Sequence, residues 1–234
     1  MIDFHAHILP NMDDGSRSIE ESLAMLRTSK GQSISRVFAT PHFYAQENTP
    51  QEFLQRRQTS WERLAPYLRD NEVPDISLGA EVRYFEGMSR NAEINSLRIE
   101  GTDLLLLEMP FTRWTDHMLS EVFSLQERTS IQVILAHIER YFPLRRGVLE
   151  DFQKYNILLQ ANADFFLHRF KRRQAFSLLR RGKIHVLGSD CHNMKSRQPR
   201  LGMAVEEIRR KLGSEAVMHL ERTGLLLAGE DAPV

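Results

Sequence analysis

The 234-residue sequence predicts an α/β fold on a parallel sheet, and three observations predict it. Short apolar or β-branched runs alternate with longer helix-like stretches along the chain, the pattern that pairs strands in parallel. A hydrophobic content of 41% at this length is enough for one large core, and α/β barrels commonly exceed roughly 200 residues as a single domain. Chemically capable residues recur at the ends of the apolar runs, where a parallel sheet builds its sites. No glycine-rich dinucleotide loop follows the first run, and the expectation is a βα barrel or a doubly wound sheet.

Seven strands are expected in order: MIDFH (1–5), SRVFAT (35–40), DISLGA (75–80), DLLLLE (103–108), QVILAH (132–137), ILLQAN (157–162) and KIHVLGS (183–189). Capped helices lie between them. Ser18 with Glu21, and Thr49 with Glu52, each match the capping-box pattern, and Pro50 takes the favoured first helical position. No repeat or low-complexity linker interrupts the pattern. A single domain is therefore expected over 1–228, followed by a loose tail, GEDAPV, at 229–234.

Thirty-one basic and thirty-one acidic residues cancel, so no overall basic field favours a phosphate backbone, and nucleic acid is not an expected partner. One cysteine excludes an internal disulfide. The first ten residues show neither a charged leader nor a long apolar run, and LLLL at 104–107 is far too short for a bilayer. A cytoplasmic protein without membrane insertion is expected. The basic stretch at 168–183 reads as a solvated helix, with Phe170, Ala175, Phe176, Leu178 and Leu179 as its apolar stripe.

The strand ends carry the chemistry. The first offers His5 and His7, the second His42, the third Glu81, the fourth Glu108, the fifth His137, and the seventh Asp190 and His192; the sixth offers only Asn162 and Asp164. Side chains at i and i+2 share one face of a strand, so His5/His7 and Asp190/His192 are each chelating pairs. With Asp14, nine donors converge, more than one ion needs, which implies two or three ions bridged by carboxylates. Imidazole and carboxylate without thiolate suit Mn, Fe or Zn. Close cations activate water and polarise phosphoryl oxygens, and guanidinium groups then bind the transferring phosphoryl. Arg140 and Arg197 fit that role, with Arg83, two residues beyond Glu81, as a further substrate-binding candidate.

The segments MIDFHAHILP..DDGS, ATPH, GAEVR, LLLLEMP, AHIERY, QANA and GSDCHN resemble, in that order, the polymerase and histidinol phosphatase (PHP) superfamily. More closely they resemble the bacterial metal-dependent protein-tyrosine phosphatases of capsule and exopolysaccharide synthesis. The resemblance implies a distorted seven-stranded (β/α)7 TIM-like barrel with three divalent ions, usually described as manganese. It also implies direct attack by a metal-bridging hydroxide on phosphotyrosine, borne by the tail of a bacterial tyrosine kinase. Carried over, His5, His7, Glu81 and Asp190 hold one ion; Glu81 bridges to a second with Glu108 and His137; and Asp14, His42 and His192 hold a third. Asp13 is the alternative to Asp14, and Arg140 and Arg197 bind phosphate. Asn11 stands where glycine would be expected in the first loop.

Two other classes are weighed against this one. Equivalent chemistry could act on a small monoester such as histidinol phosphate or on a nucleotide, or the donors could form a catalytically silent metal-binding module; a TatD-like hydrolase is the structural runner-up. Cys191 to Arg197 also spells C-x5-R, the spacing of cysteine-based tyrosine phosphatases. The five intervening residues contain no glycine to wrap a phosphate, and strand alternation turns Cys191 away from Asp190 and His192, so the match is read as chance.

Overall fold

The computed structural model describes residues 1–69, 71–142, 152 and 154–230. Parallel strands alternate with helices: β1 (Ile2–Ala6), α1 (Ile19–Gly31), β2 (Arg36–Ala39), β3 (His42–Phe43), α2 (Pro50–Leu64), β4 (Asp75–Leu78), β5 (Glu81–Arg83), β6 (Leu104–Glu108), α3 (Asp116–Arg128), β7 (Gln132–Leu135), β8 (Leu158–Asn162), α4 (Ala163–Leu167), α5 (Arg172–Arg180), β9 (Val186–Gly188), α6 (Leu201–Leu212) and α7 (Ser214–Leu227). Of the tail expected at 229–234, residues 231–234 lie outside the described residues.

Seven continuous strands were expected, and the described residues hold nine segments in two sheets, β1-β2-β4 and β3-β5-β6-β7-β8-β9. The second and third expected strands, 35–40 and 75–80, are each followed by a further short strand that was not expected, β3 and β5. Pro41, without an N–H, separates β3 from β2, and Gly79–Ala80 separates β5 from β4. Hydrogen bonds run on through the breaks: Thr40 N–H donates to Ala6 O (2.9 Å), Gly79 N–H to Ala39 O (2.8 Å) and Glu81 N–H to Pro41 O (3.0 Å). Beyond β9, Asp190 N–H donates to His5 O (2.7 Å) and His7 N–H to Cys191 O (2.9 Å), so the curled sheet brings its last strand beside its first.

Strands covered on both faces read as continuous apolar runs; β1 and β6 are buried at every position. Ile2, Phe4, Phe38, Leu104, Leu106, Ile134 and Val186, from five strands, touch one another inside the curl. Ala6 instead belongs to the larger cluster between strands and helices. The change follows from a register shift in β1 between Asp3 and Ala6. Such a bulge re-aims the residues beyond it, and here it places His5 and His7 at one end of the curl, above the plug of Ile2 and Phe4. Helix α7 closes the other end, where Gly224 lies against the Phe4 ring.

Thr49 makes the full capping box with Glu52 at α2. The Ser18 box is half made: Ser18 accepts from Glu21 N–H, but the Glu21 carboxylate turns to the N–H groups of Arg17 and Met194. In the basic stretch, Ala175, Phe176, Leu178 and Leu179 are buried, whereas Phe170 is 82% exposed and leaves the expected stripe. It lies before α5 begins, so helical periodicity does not govern its direction.

Candidate metal centre

His5 and His7 are wholly buried, with their Nε2 atoms 3.1 Å apart. Each is oriented from behind. His7 Nδ1 meets Asp13 Oδ2 at 2.6 Å, and His5 Nδ1 lies 3.3 Å from Gln160 Oε1, so both rings present Nε2 to the centre. Carboxylate or amide partners of this kind fix the tautomer of a metal-ligating histidine. Asp13 also accepts from the N–H groups of His42 (2.9 Å) and Gly15 (2.9 Å). Gly15 is required by close approach, because a Cβ there would fall 2.4 Å from His7 O.

Glu81, the first residue of β5, is the hub. Its Oε2 lies 2.8 Å from His42 Nδ1, 3.1 Å from His5 Nε2 and 3.3 Å from His7 Nε2. Its Oε1 lies 2.9 Å from His137 Nε2, which is 3.3 Å from Glu108 Oε1. On the opposite side, Asp14 Oδ1 is 3.4 Å from His42 Nε2 and 3.3 Å from His192 Nε2. Asp13 and Asp14 thus separate by environment: Asp13 is buried behind His7, while Asp14, 64% exposed, reaches into the centre.

Asp190 Oδ1 stands 3.6 Å from His5, His7 and His192. Strand alternation was expected to place it, but β9 ends at Gly188 and Asp190 adopts a left-handed backbone (φ 52°). His137 does the same (φ 34°). Non-glycine residues in this region carry strain that surrounding structure must hold, and they cluster at functional sites. Asn11 also has positive φ (56°), so an asparagine, which tolerates this conformation, makes the turn where glycine was expected.

All nine sequence-predicted donors therefore come together around Glu81. Three sets, His5–His7–Glu81, His7–Asp14–His42–His192 and His42–Glu81–Glu108, each offer ligand atoms within 4.8 Å of one another. The donors fit divalent cations on a further ground. Glu81 Oε2, His42 Nδ1 and His192 Nε2 are buried with neighbouring donor or acceptor atoms at 2.8 Å and 3.3 Å but no well-aligned hydrogen bond, a state costing roughly 1–3 kcal/mol per group unless something satisfies it. Burial pushes the Glu81 pKa up, but the charge of His5 and the imidazoles of His137, His42 and His5 packed against the carboxylate reverse this and hold it well below the usual carboxylate range. Burial lowers the His7 pKa, yet Asp13 and Glu81 carry it up to about 10. For His192 burial, joined by the charge of His7, brings the pKa down to about 3.

Arg140 and Arg197 close on Asp190 from two sides, Arg140 on Oδ2 and Arg197 on Oδ1 at 2.6 Å. Asn193 directs Arg197 there: its Oδ1 accepts from the N–H groups of Lys195, Ser196 and Arg197, folding the loop back. A 210 Å³ cavity beside Asp190 is lined by Arg140, Arg197, Asn162, His168 and Lys171. Arg83 reaches Glu108 Oε2 at 3.2 Å, on the far side of Glu81. Cys191 is 1% exposed, and burial raises its thiol pKa, so it presents no thiolate to Arg197.

Sequence reasoning missed Gln160 and gave Asp13 too small a part. The wholly buried Gln160 amide accepts from His137 N–H (2.7 Å) and donates to Asn162 Oδ1 (2.9 Å), while Asn162 donates to Asp190 Oδ2 (2.8 Å). One polar chain thus ties His5, His137 and Asp190 together. The signal was a glutamine within an apolar strand, ILLQAN. Asp164, the other candidate in that segment, pairs with Arg200 at 3.1 Å instead.

A parallel α/β fold that gathers imidazole and carboxylate donors suited to divalent cations beside a pocket lined by two arginines defines the class of site. The chain belongs to the CpsB/CapC family of capsular polysaccharide synthesis, whose model matches residues 1–224. It is 30% identical to the tyrosine-protein phosphatase YwqE of Bacillus subtilis (strain 168), covering 98% of this chain and 92% of that one. It is 29% identical to the tyrosine-protein phosphatase CpsB of Streptococcus pneumoniae, covering 94% of each. A crystal structure from work on YwqE and CpsB, described as unique metal-dependent tyrosine phosphatases, shares the fold: TM-score 0.82, 24% identity, covering all of this chain and 96% of that one.

Proposed function

We propose that this chain is a metal-dependent protein-tyrosine phosphatase, and that its nine strand segments act as the seven strands of a distorted barrel. The observation that carries the reading is the convergence of His5, His7, His42 and His137 on the two oxygens of Glu81, with Arg140 and Arg197 meeting at Asp190 alongside. The names of the relatives point to phosphotyrosine as substrate. His5, His7, Glu81 and Asp190 would hold one divalent ion, Glu81, Glu108 and His137 a second, and Asp14, His42 and His192 a third, manganese being the expected metal. Bound there, such ions supply Lewis-acid activation of water and of the phosphoryl oxygens.

The chain's own residues do the rest. Asp13 and Gln160 hold His7 and His5 with Nε2 inward. Arg140 and Arg197 orient the phosphoryl group and neutralise the charge that spreads over its oxygens as the ester bond breaks. Cys191, buried and protonated, takes no part, so phosphate passes to water without a covalent enzyme intermediate. The substrate is a tyrosine-phosphorylated protein, in keeping with the family a tyrosine kinase of polysaccharide synthesis, met in the cytoplasm. Parallel assays on a phosphotyrosyl peptide and on histidinol phosphate with added Mn test the reading. Phosphate release from the peptide in clear excess is expected; preference for histidinol phosphate would move the function to small monoesters.

A further inference from the structure

The phosphatase reading accounts for the phosphate end of a substrate and leaves unexplained a row of flat side chains at one edge of the centre. Phe111, on the loop after β6, is 44% exposed, although it stands against a strongly charged site. Its ring stacks on Tyr141 (centroids 5.9 Å apart, 21° between planes) and approaches the His137 ring at 5.9 Å. Two guanidiniums face it, Arg140 at 5.7 Å and Arg83 at 5.9 Å from its centroid. Arg83 in turn lies 6.0 Å from the ring of Tyr44, which stacks on His42 (5.3 Å, 21°). Tyr44, Arg83 and Phe111 therefore form a continuous wall of alternating π and guanidinium faces. Each end rests on a histidine of the centre.

We infer that this wall is an aryl-binding subsite, which receives the ring of the leaving group and selects aromatic over alkyl phosphate monoesters. The inference rests on the phosphatase reading and adds to it the means of selection. Arg140 gives the geometry: it touches Asp190 while its guanidinium lies over Phe111, so a phosphoryl group held by Arg140 sits at the foot of the wall. A ring on the ester oxygen then meets the exposed part of Phe111, and Arg83 supplies a second flat, cationic surface. Aromatic pairs and guanidinium–ring contacts both gain from such offset packing. An alkyl leaving group gains neither. Arg83 does not touch Asp190 or the cavity beside it, which removes it from the phosphate and gives the third expected arginine a different task.

The test uses the full-length, metal-loaded protein and two variants, Phe111→Ala and Phe111→Tyr. Calorimetry gives the affinities of phenylphosphonate and methylphosphonate, and steady-state assays give kcat and KM on a phosphotyrosyl peptide. Wild type and Phe111→Tyr should bind phenylphosphonate about tenfold more tightly than methylphosphonate, the size of one aromatic pair. In Phe111→Ala that ratio should fall towards one with methylphosphonate affinity, metal content and melting temperature unchanged, and the peptide should lose about tenfold in kcat/KM, through KM. Equal weakening of both phosphonates, or an unchanged ratio in Phe111→Ala, would overturn the inference and leave the phosphatase reading standing. A wild-type protein that releases phosphate from no monoester would overturn both.

Discussion

Asp13 touches none of the atoms that face the centre, yet it holds His7 in place from behind while also accepting from His42 and Gly15 N–H groups. Asp13→Asn keeps the shape and removes the charge, so the protein should fold and bind metal about 10–100-fold more weakly, the usual cost of losing such a partner; titration of the metal-free protein measures it. Gln160 does for His5 what Asp13 does for His7. Arg140→Ala and Arg197→Ala should each lower turnover by about a hundredfold to a thousandfold with metal content unchanged; normal turnover in both would mean the phosphoryl group binds elsewhere. The C-x5-R coincidence is settled by a pair of variants. Cys191→Ser should retain nearly wild-type activity, because the thiol is buried, whereas His192→Ala should lose most of it.

At the scale of elements, the site depends on departures from regular strands. The bulge in β1 turns His5 and His7 to the centre; the breaks at Pro41 and Gly79–Ala80 start β3 with His42 and β5 with Glu81; and left-handed residues aim His137 and Asp190. Gly188 lets β8 and β9 close on β1, since a Cβ there would fall 2.5 Å from the His5 Cβ and 2.8 Å from Gln160 Nε2. Gly188→Ala should destabilise the fold by about 1–3 kcal/mol, as overpacking does, and weaken metal binding with it; a denaturant melt beside a metal titration reads both. The element order was legible because apolar runs of strand length alternate with capped helices. The candidate donors were legible because all but Asp14 end such a run or closely follow it. Segmentation was not, since breaks and bulges depend on tertiary hydrogen bonds that residue types alone do not specify. Gln160 was hidden for a related reason: its role exists only once β8 lies beside His5.

For the whole molecule, the arrangement has two ends. Helix α7 covers the plug of Ile2 and Phe4, and the donors and arginines occupy the other end, where the parallel strands all terminate. With 31 acidic and 31 basic residues the chain carries no long-range field of one sign, so in the proposed function recognition of an anionic ester falls to local groups, Arg140 and Arg197 at the phosphate and, as inferred above, the Tyr44–Arg83–Phe111 wall at the ring. Among the described residues no helix is long and apolar enough to cross a membrane. In the proposed function, phosphotyrosine hydrolysis depends on cations held by the convergent histidines and carboxylates. Elemental analysis and phosphate release from a phosphotyrosyl peptide, followed together through chelation and re-addition, test it most directly. Activity should disappear as metal is stripped and return with Mn more than with Mg; full activity in strong chelator, with no metal bound, would overturn the metal dependence.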